Sequence, residues 1–146
     1  MFGGRMAGGG YYWAGMVIQS VFTAWFSTWT VLILLTWSGL YDGQIAGQVN
    51  LANFVDLTPT AFLISFILLD LLILAAWWVT LRRRRWAYIA YFVVILLDIA
   101  EWAAFALLPH YDNSQEPYVI GMSLIGVWCL RRWAGLNSLA SPAGNG

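Results

Sequence analysis

From Tyr11 to Trp37 the chain carries no charged residue, and Thr60 to Leu81, Trp86 to Leu108 and Tyr118 to Leu130 are further long, mainly apolar runs. A helix rises about 1.5 Å per residue, so about 20 apolar residues cross a hydrocarbon core. The first three runs meet that length. The fourth is short before Arg131 and Arg132 and spans if the arginines snorkel and the helix continues to Leu136. With 146 residues, 61% hydrophobic and only 10% charged, a soluble fold of this size could not bury so much apolar side chain. The mean hydropathy of +0.70 agrees. These features predict an all-α integral membrane bundle of four transmembrane helices at about 11–37, 60–81, 86–108 and 118–136. Residues 1–10, half of them glycine, read as a flexible arm, and 137–146 as a disordered tail. The first run is too long for a signal-peptide core and reads as a retained helix.

The arginines set an expected orientation. Arg5, Arg82 to Arg85, and the pair Arg131 and Arg132 fall on one side of a four-span layout, while Asp42, Asp56, Asp112 and Glu116 fall on the other. The positive-inside rule then assigns both termini to the cytoplasm, in a multi-pass cell-membrane protein. Tyr11, Tyr12, Trp13, Trp37, Trp86 and Trp133 sit near predicted span ends, where aromatic belts form. Between the first two spans, Ile45, Val49 and Ala52 recur at helical spacing and suggest a short surface helix. Thr58 before Pro59 reads as a capping hydroxyl ahead of a proline at the first helical position.

Three acids lie inside apolar spans: Asp70, Asp98 and Glu101. Charged groups in hydrocarbon are costly and mark pathways or paired sites. Asp70 stands about 12 residues before the arginine turn and Asp98 about 13 after it, so both lie roughly 18 to 20 Å from it. In an antiparallel hairpin they would be level. Glu101 follows Asp98 by about one turn on the same face. Carboxylates close together at low dielectric cannot both ionise cheaply, and the trio is therefore a candidate proton- or cation-binding site. Gln19, Thr23, Ser27 and Thr30 form a polar stripe on the first span that could line it. The same residues also fit purely structural roles. Protonated acids and Ser/Thr/Gln stripes join membrane helices by hydrogen bonds, and Arg131 lies at a depth from which it could pair with Asp98.

Other chemistries are more narrowly bounded. Zero net charge, with seven arginines, no lysine and seven acids, provides no basic field for nucleic acid. Cys129 is the only cysteine, a small residue in an apolar run that excludes an internal disulfide. His110 is the only histidine; it could ligate one haem or chlorophyll-type pigment but not supply two axial ligands. A His/Cys zinc site lacks ligands within one chain, and no phosphate loop, GxGxxG or CxxC occurs. No cofactor and no catalysis are expected. Membrane lipids, other membrane subunits or further copies of the chain are the expected partners. Arg82, Arg83, Arg84 and Arg85 fix topology and can meet anionic lipid headgroups. Gly121, Ser123 and Gly126 give the fourth span a small-residue surface.

From span two onward the chain resembles a family of uncharacterised small bacterial four-span membrane proteins. The resemblance rests on the turn Arg82-Arg83-Arg84-Arg85, mid-helix Asp98, a polar outer turn, and Ile125-Gly126-Val127-Trp128 running into Arg131-Arg132. It covers about residues 58–133. Where the family opens on a Gly-Gly-Trp-Leu-like motif, this chain has Gly9-Gly10-Tyr11-Tyr12-Trp13, and its end at Arg131-Arg132-Trp133 is less basic. The resemblance implies architecture and no activity. Three functional readings follow: a non-catalytic accessory, assembly or scaffold subunit; a small proton- or cation-coupled transporter or channel subunit; and a pigment- or haem-associated subunit.

Overall fold

The computed structural model describes residues 3–45, 49–108 and 116–139, with side-chain surroundings for 8–44, 50–108 and 116–136. Its elements are α1 (Gly3–Trp37), the two-residue strands β1 (Gln44–Ile45) and β2 (Val49–Asn50), α2 (Leu51–Leu57), α3 (Thr60–Leu81), α4 (Ala87–Phe105) and α5 (Glu116–Leu139). Four helices are long and apolar enough to cross a membrane: α1 from Gly8, α3, α4, and α5 as far as Leu136. The protein is an integral membrane four-helix bundle. Helices α1, α3, α4 and α5 pack in a ring, each against two neighbours, with α1 resting most extensively on α5.

Periodicity explains the core. On α1, Tyr12, Met16, Gln19, Thr23, Phe26, Thr30 and Ile33 are all buried, a run of alternating four- and three-residue steps that keeps one face inward. Phe22 lies 5.8 Å from Tyr91, ring to ring, across the middle of the bundle. Leu69, Ile73, Ala76, Val94, Ile95, Val127 and Leu130 complete the main core. Lipid-facing positions are apolar too, such as Val21, Leu68, Leu71 and Trp78, all more than 50% exposed; with hydrocarbon as solvent nothing drives them inside. Small residues decide how closely α1 and α5 approach. A Cβ on Gly15 would stand 2.8 Å from Leu130 Cγ, and one on Gly126 would stand 3.1 Å from both Ile18 and Tyr91. Gly121, by contrast, faces open space.

The helix ends carrying arginine meet at one end of the bundle. Tyr12 donates its hydroxyl to the Thr80 carbonyl at 3.0 Å, and its ring packs 5.1 Å from Trp133. The Arg83 guanidinium lies over the Tyr12 ring at 4.8 Å. Arg82 covers Trp78 and Arg132 covers Trp128 in the same way. The opposite end, at the C-terminus of α1, is covered by α2, whose Leu51 and Val55 pack with Ile33 and Leu63 in a second, smaller core.

Several sequence expectations are corrected. Helix α1 begins at Gly3, within the stretch expected to be a flexible arm; extending an established helix adds a hydrogen bond per residue, against a glycine cost of about 1 kcal/mol each. Helix α4 stops at Phe105, short of Leu108, and α5 runs from Glu116 through the arginines to Leu139. Part of the expected disordered tail, 137–139, is therefore helical; 140–146 lie outside the described residues. The interval after α1 is a short antiparallel hairpin, Gln44 opposite Asn50 and Ile45 opposite Val49, and only then a helix. Gly43, at φ 76°, makes the entry turn, with Ala52 too close for any side chain there. Asn50, not Thr58, supplies a helix cap: its side chain accepts from the Asn53 amide. Thr58 closes α2, and Pro59 takes the N-cap position of α3. Tyr12 belongs to the core rather than to an interface belt.

Candidate functional site

Under α2 the bundle holds a cleft of about 30 Å³, lined by Phe26 of α1, Phe54 of α2, Phe66 of α3, Asp98, Glu101, Trp102 and Phe105 of α4, and Glu116 of α5. All five helices contribute. The volume suits one or two waters and falls far below the roughly 300 Å³ at which small-molecule pockets begin. Its walls are aromatic: Phe54 stacks on Phe105 at 6.1 Å, and Phe26 on Phe66 at 5.4 Å. Phe62 meets the Phe105 ring edge-on at 5.2 Å. The stacked pair Phe54 and Phe105 makes α2 the lid.

The polar groups of the cleft come from α4 and α5. Asp98 is buried in the α4 stripe with Tyr91, Val94 and Ile95, and its Oδ2 has no hydrogen-bond partner. Glu101 sits one turn further on and accepts from the Ser65 hydroxyl of α3 at 2.6 Å. Glu116 occupies the first turn of α5, where unpaired amides favour an anion. It lies within electrostatic reach of both Asp98 and Glu101. The Trp102 indole nitrogen is buried without a partner. The arrangement is a ring of carboxyl groups in apolar walls, reached from the end under α2.

Asp70 is not part of it. Its Oδ1 accepts from Ser27 at 2.9 Å across the α1–α3 interface. Depth along a hairpin places two residues level but says nothing of their rotation about each helix axis; Asp70 turns toward α1. The alternative Asp98–Arg131 pair is not formed either, because Arg131 is exposed at the bundle surface and Asp98 is buried. The polar stripe divides by role: Ser27 holds Asp70, Thr23 bonds back to the Gln19 carbonyl, and Gln19 and Thr30 point polar atoms into the core without partners. Arg84 and Arg85 are exposed at the turn, and Cys129 is a buried thiol. Among the described residues no group of three His, Cys, Asp or Glu side chains is placed to hold a metal ion. His110 and Asp112 lie outside the described residues.

Glu116, Trp102 and Phe54 were not anticipated as site residues. Pro117 directly after Glu116 was the available signal, because proline favours the first helical turn and so draws Glu116 out of the connecting segment into the bundle.

The fold and the cleft define a four-span membrane protein with carboxyl groups inside the bundle. No family model, no curated protein and no solved structure matches the chain.

Proposed function

We propose that this chain is a small proton-coupled transporter or channel subunit that takes up a proton at Asp98 from a vestibule formed by Glu101 and Glu116. One observation carries the reading: Asp98 is buried in an apolar helix, has an unpartnered carboxyl oxygen and lines a water-sized cleft. A carboxyl needed only to join helices would be bonded, as Asp70 is to Ser27. A proton requires a single acceptor and a water, and the cleft has room for both. The clustered arginines at the opposite end assign that end to the cytoplasm by the positive-inside rule; both termini are then cytoplasmic and the vestibule opens outward.

The test is flux into proteoliposomes under an imposed potential, read with an internal pH dye and, in a parallel arm, with labelled sodium. Proton entry is expected in the wild type and its loss in a folded Asp98→Asn variant. Undiminished proton entry in Asp98→Asn overturns the reading; sodium entry without proton entry replaces the proton by a small cation.

The reading as an accessory or scaffold subunit draws on a different observation. Only 28 to 33% of each span's apolar window is buried within the fold, leaving broad faces for lipid or neighbouring subunits. A mass measurement on the detergent-extracted particle decides that point, and a lone monomer counts against the subunit reading.

A further inference from the structure

Two helical turns from the cleft, toward the arginine end, three helices place polar groups in one layer. Each stands seven residues from a cleft residue on the same face: Gln19 from Phe26 on α1, Tyr91 from Asp98 on α4, and Ser123 from Glu116 on α5. Seven residues close almost two turns and cover about 10 Å. All three side chains are buried, at 0%, 0% and 1% exposure. Both amide atoms of Gln19 and the Tyr91 hydroxyl lack hydrogen-bond partners. The Ser123 hydroxyl lies near the Tyr91 phenol without closing a hydrogen bond of normal geometry.

Packing around Tyr91 draws the three helices together at this level. Ile18 and Tyr91 both reach the position where a Gly126 side chain would stand, and Phe22 packs on Tyr91. Gln19 lies between Ile18 and Phe22 on α1. A side chain at 126 would press on the Tyr91 ring, which lies 3.1 Å from the place of its Cβ. Three unsatisfied polar atoms in an apolar core are expensive, and a core that keeps them needs an occupant to bond.

We infer that Gln19, Tyr91 and Ser123 form a second polar site that binds water and relays the proton between Asp98 and the arginine end. This rests on the proton-uptake reading of Asp98. Asp98 and Tyr91 are too far apart along the helix for direct transfer, so water bridges them. Asp98 gives its proton to that water, and each water or hydroxyl oxygen along the chain accepts one proton and releases another, while the Gln19 amide only holds water in place. Only O–H bonds form and break. The Asp98 carboxylate then takes a fresh proton from the vestibule, and one proton has crossed per cycle, driven by the membrane potential. The charged and titratable groups around Asp98 are Glu101 and Tyr91 on its own helix and Glu116 on α5; Asp70 on α3 is bonded to Ser27 of α1 instead. Past the inner layer, beyond Met16, the proton leaves by way of the Tyr12 hydroxyl, which bonds the Thr80 carbonyl at the arginine end.

Two measurements test the inference. Radiolytic hydroxyl footprinting of the full chain reports water bound beside a buried side chain; Tyr91 and Met16 are expected to be modified despite their burial, and protection of both would overturn the inner water site. In proteoliposomes, Tyr91→Phe and Gln19→Leu are expected to lower proton entry about tenfold or more while the infrared carboxyl band assigned by Asp98→Asn still titrates. Gln19→Leu removes unsatisfied atoms at similar volume and is expected to fold if Tyr91→Phe does not. Wild-type flux in both variants, with Asp98→Asn inactive, overturns the relay and leaves the uptake reading standing. Wild-type flux in Asp98→Asn overturns both.

Discussion

Ser27 donates its hydroxyl to Asp70 Oδ1 at 2.9 Å, and that bond separates two buried aspartates that the sequence alone makes look equivalent. Asp70 has a partner on α1; the Oδ2 of Asp98 has none. Asp70→Asn and Ser27→Ala should therefore act on stability. A buried hydrogen bond to a carboxyl contributes about 1 to 3 kcal/mol, so Ser27→Ala should unfold at lower temperature in detergent, and Asp70→Asn, which keeps an acceptor for Ser27, should lose less. Proton entry by the folded fraction should stay at the wild-type level. Loss of flux in a stable Asp70→Asn protein would return Asp70 to the site.

The Phe54–Phe105 stack ties the lid helix to α4 directly over Glu101 and Glu116. Phe54→Ala removes the lid side of that stack and opens the cleft to water. Modification of the carboxyl groups by a water-soluble carbodiimide should then speed up several-fold, mapped to Asp98, Glu101 and Glu116 by peptide mass. Phe62→Ala, which removes an edge-on contact with the same ring but no lid residue, serves as the control. Equal labelling rates in the wild type and Phe54→Ala would show that α2 does not guard the cleft.

Much of the architecture was legible because hydrocarbon imposes simple demands on sequence. Thr60 to Leu81 is helical at the expected bounds, since span length and the arginine turn mark its end without reference to any neighbour. The fourth span needed its helix to continue past Arg131, and it does. What could not be read was rotation. The spacing of Asp70, Asp98 and Glu101 fixed depth and grouped Asp98 with Glu101, but whether Asp70 or Glu116 joined them depended on which way α3 faced and where α5 began. Glu116 looked like a loop charge because hydropathy does not count the first turn of a helix. The lid was hidden for a similar reason: Phe54 acquires its role only by stacking on Phe105, about 50 residues away in the chain. The stripe of Gln19, Thr23, Ser27 and Thr30 was visible as a pattern, but its members serve three different purposes once neighbours are present.

Close approach of α1 and α5 rests on Gly15 and Gly126, whereas Gly121 takes no part in it. At Gly15 an added Cβ meets Leu130 at 2.8 Å and the Gly126 carbonyl at 3.0 Å, so backbone as well as side chain must move. Gly15→Ala should destabilise by about 1 to 3 kcal/mol, the usual range for overpacking. Gly121→Ala, with open space around it, should be neutral or slightly stabilising through helix propensity. Thermal unfolding of the two variants in one detergent compares them directly. Equal midpoints would mean that α1 and α5 are not locked at this crossing.

Arg83 turns the chain from α3 into α4 with φ at 52°, the one non-glycine residue in the left-handed region among the described residues. That conformation costs an L-residue about 1 kcal/mol, and glycine would adopt it without strain. The arginine is nevertheless placed so that its guanidinium covers Tyr12 at 4.8 Å and Trp13 at 5.9 Å, contacts worth about 0.5 to 1 kcal/mol at an exposed site. Replacing Arg83 by alanine removes the contact and keeps the strain; replacing it by glycine removes both. Arg83→Gly should therefore be more stable than Arg83→Ala by about 1 kcal/mol and close to the wild type. In a Tyr12→Phe background the difference between the two should persist, because the Tyr12 hydroxyl bonds Thr80 and not Arg83. Should alanine prove as stable as glycine, the turn is not strained at Arg83, and the cation–π contact alone accounts for its place at the arginine end.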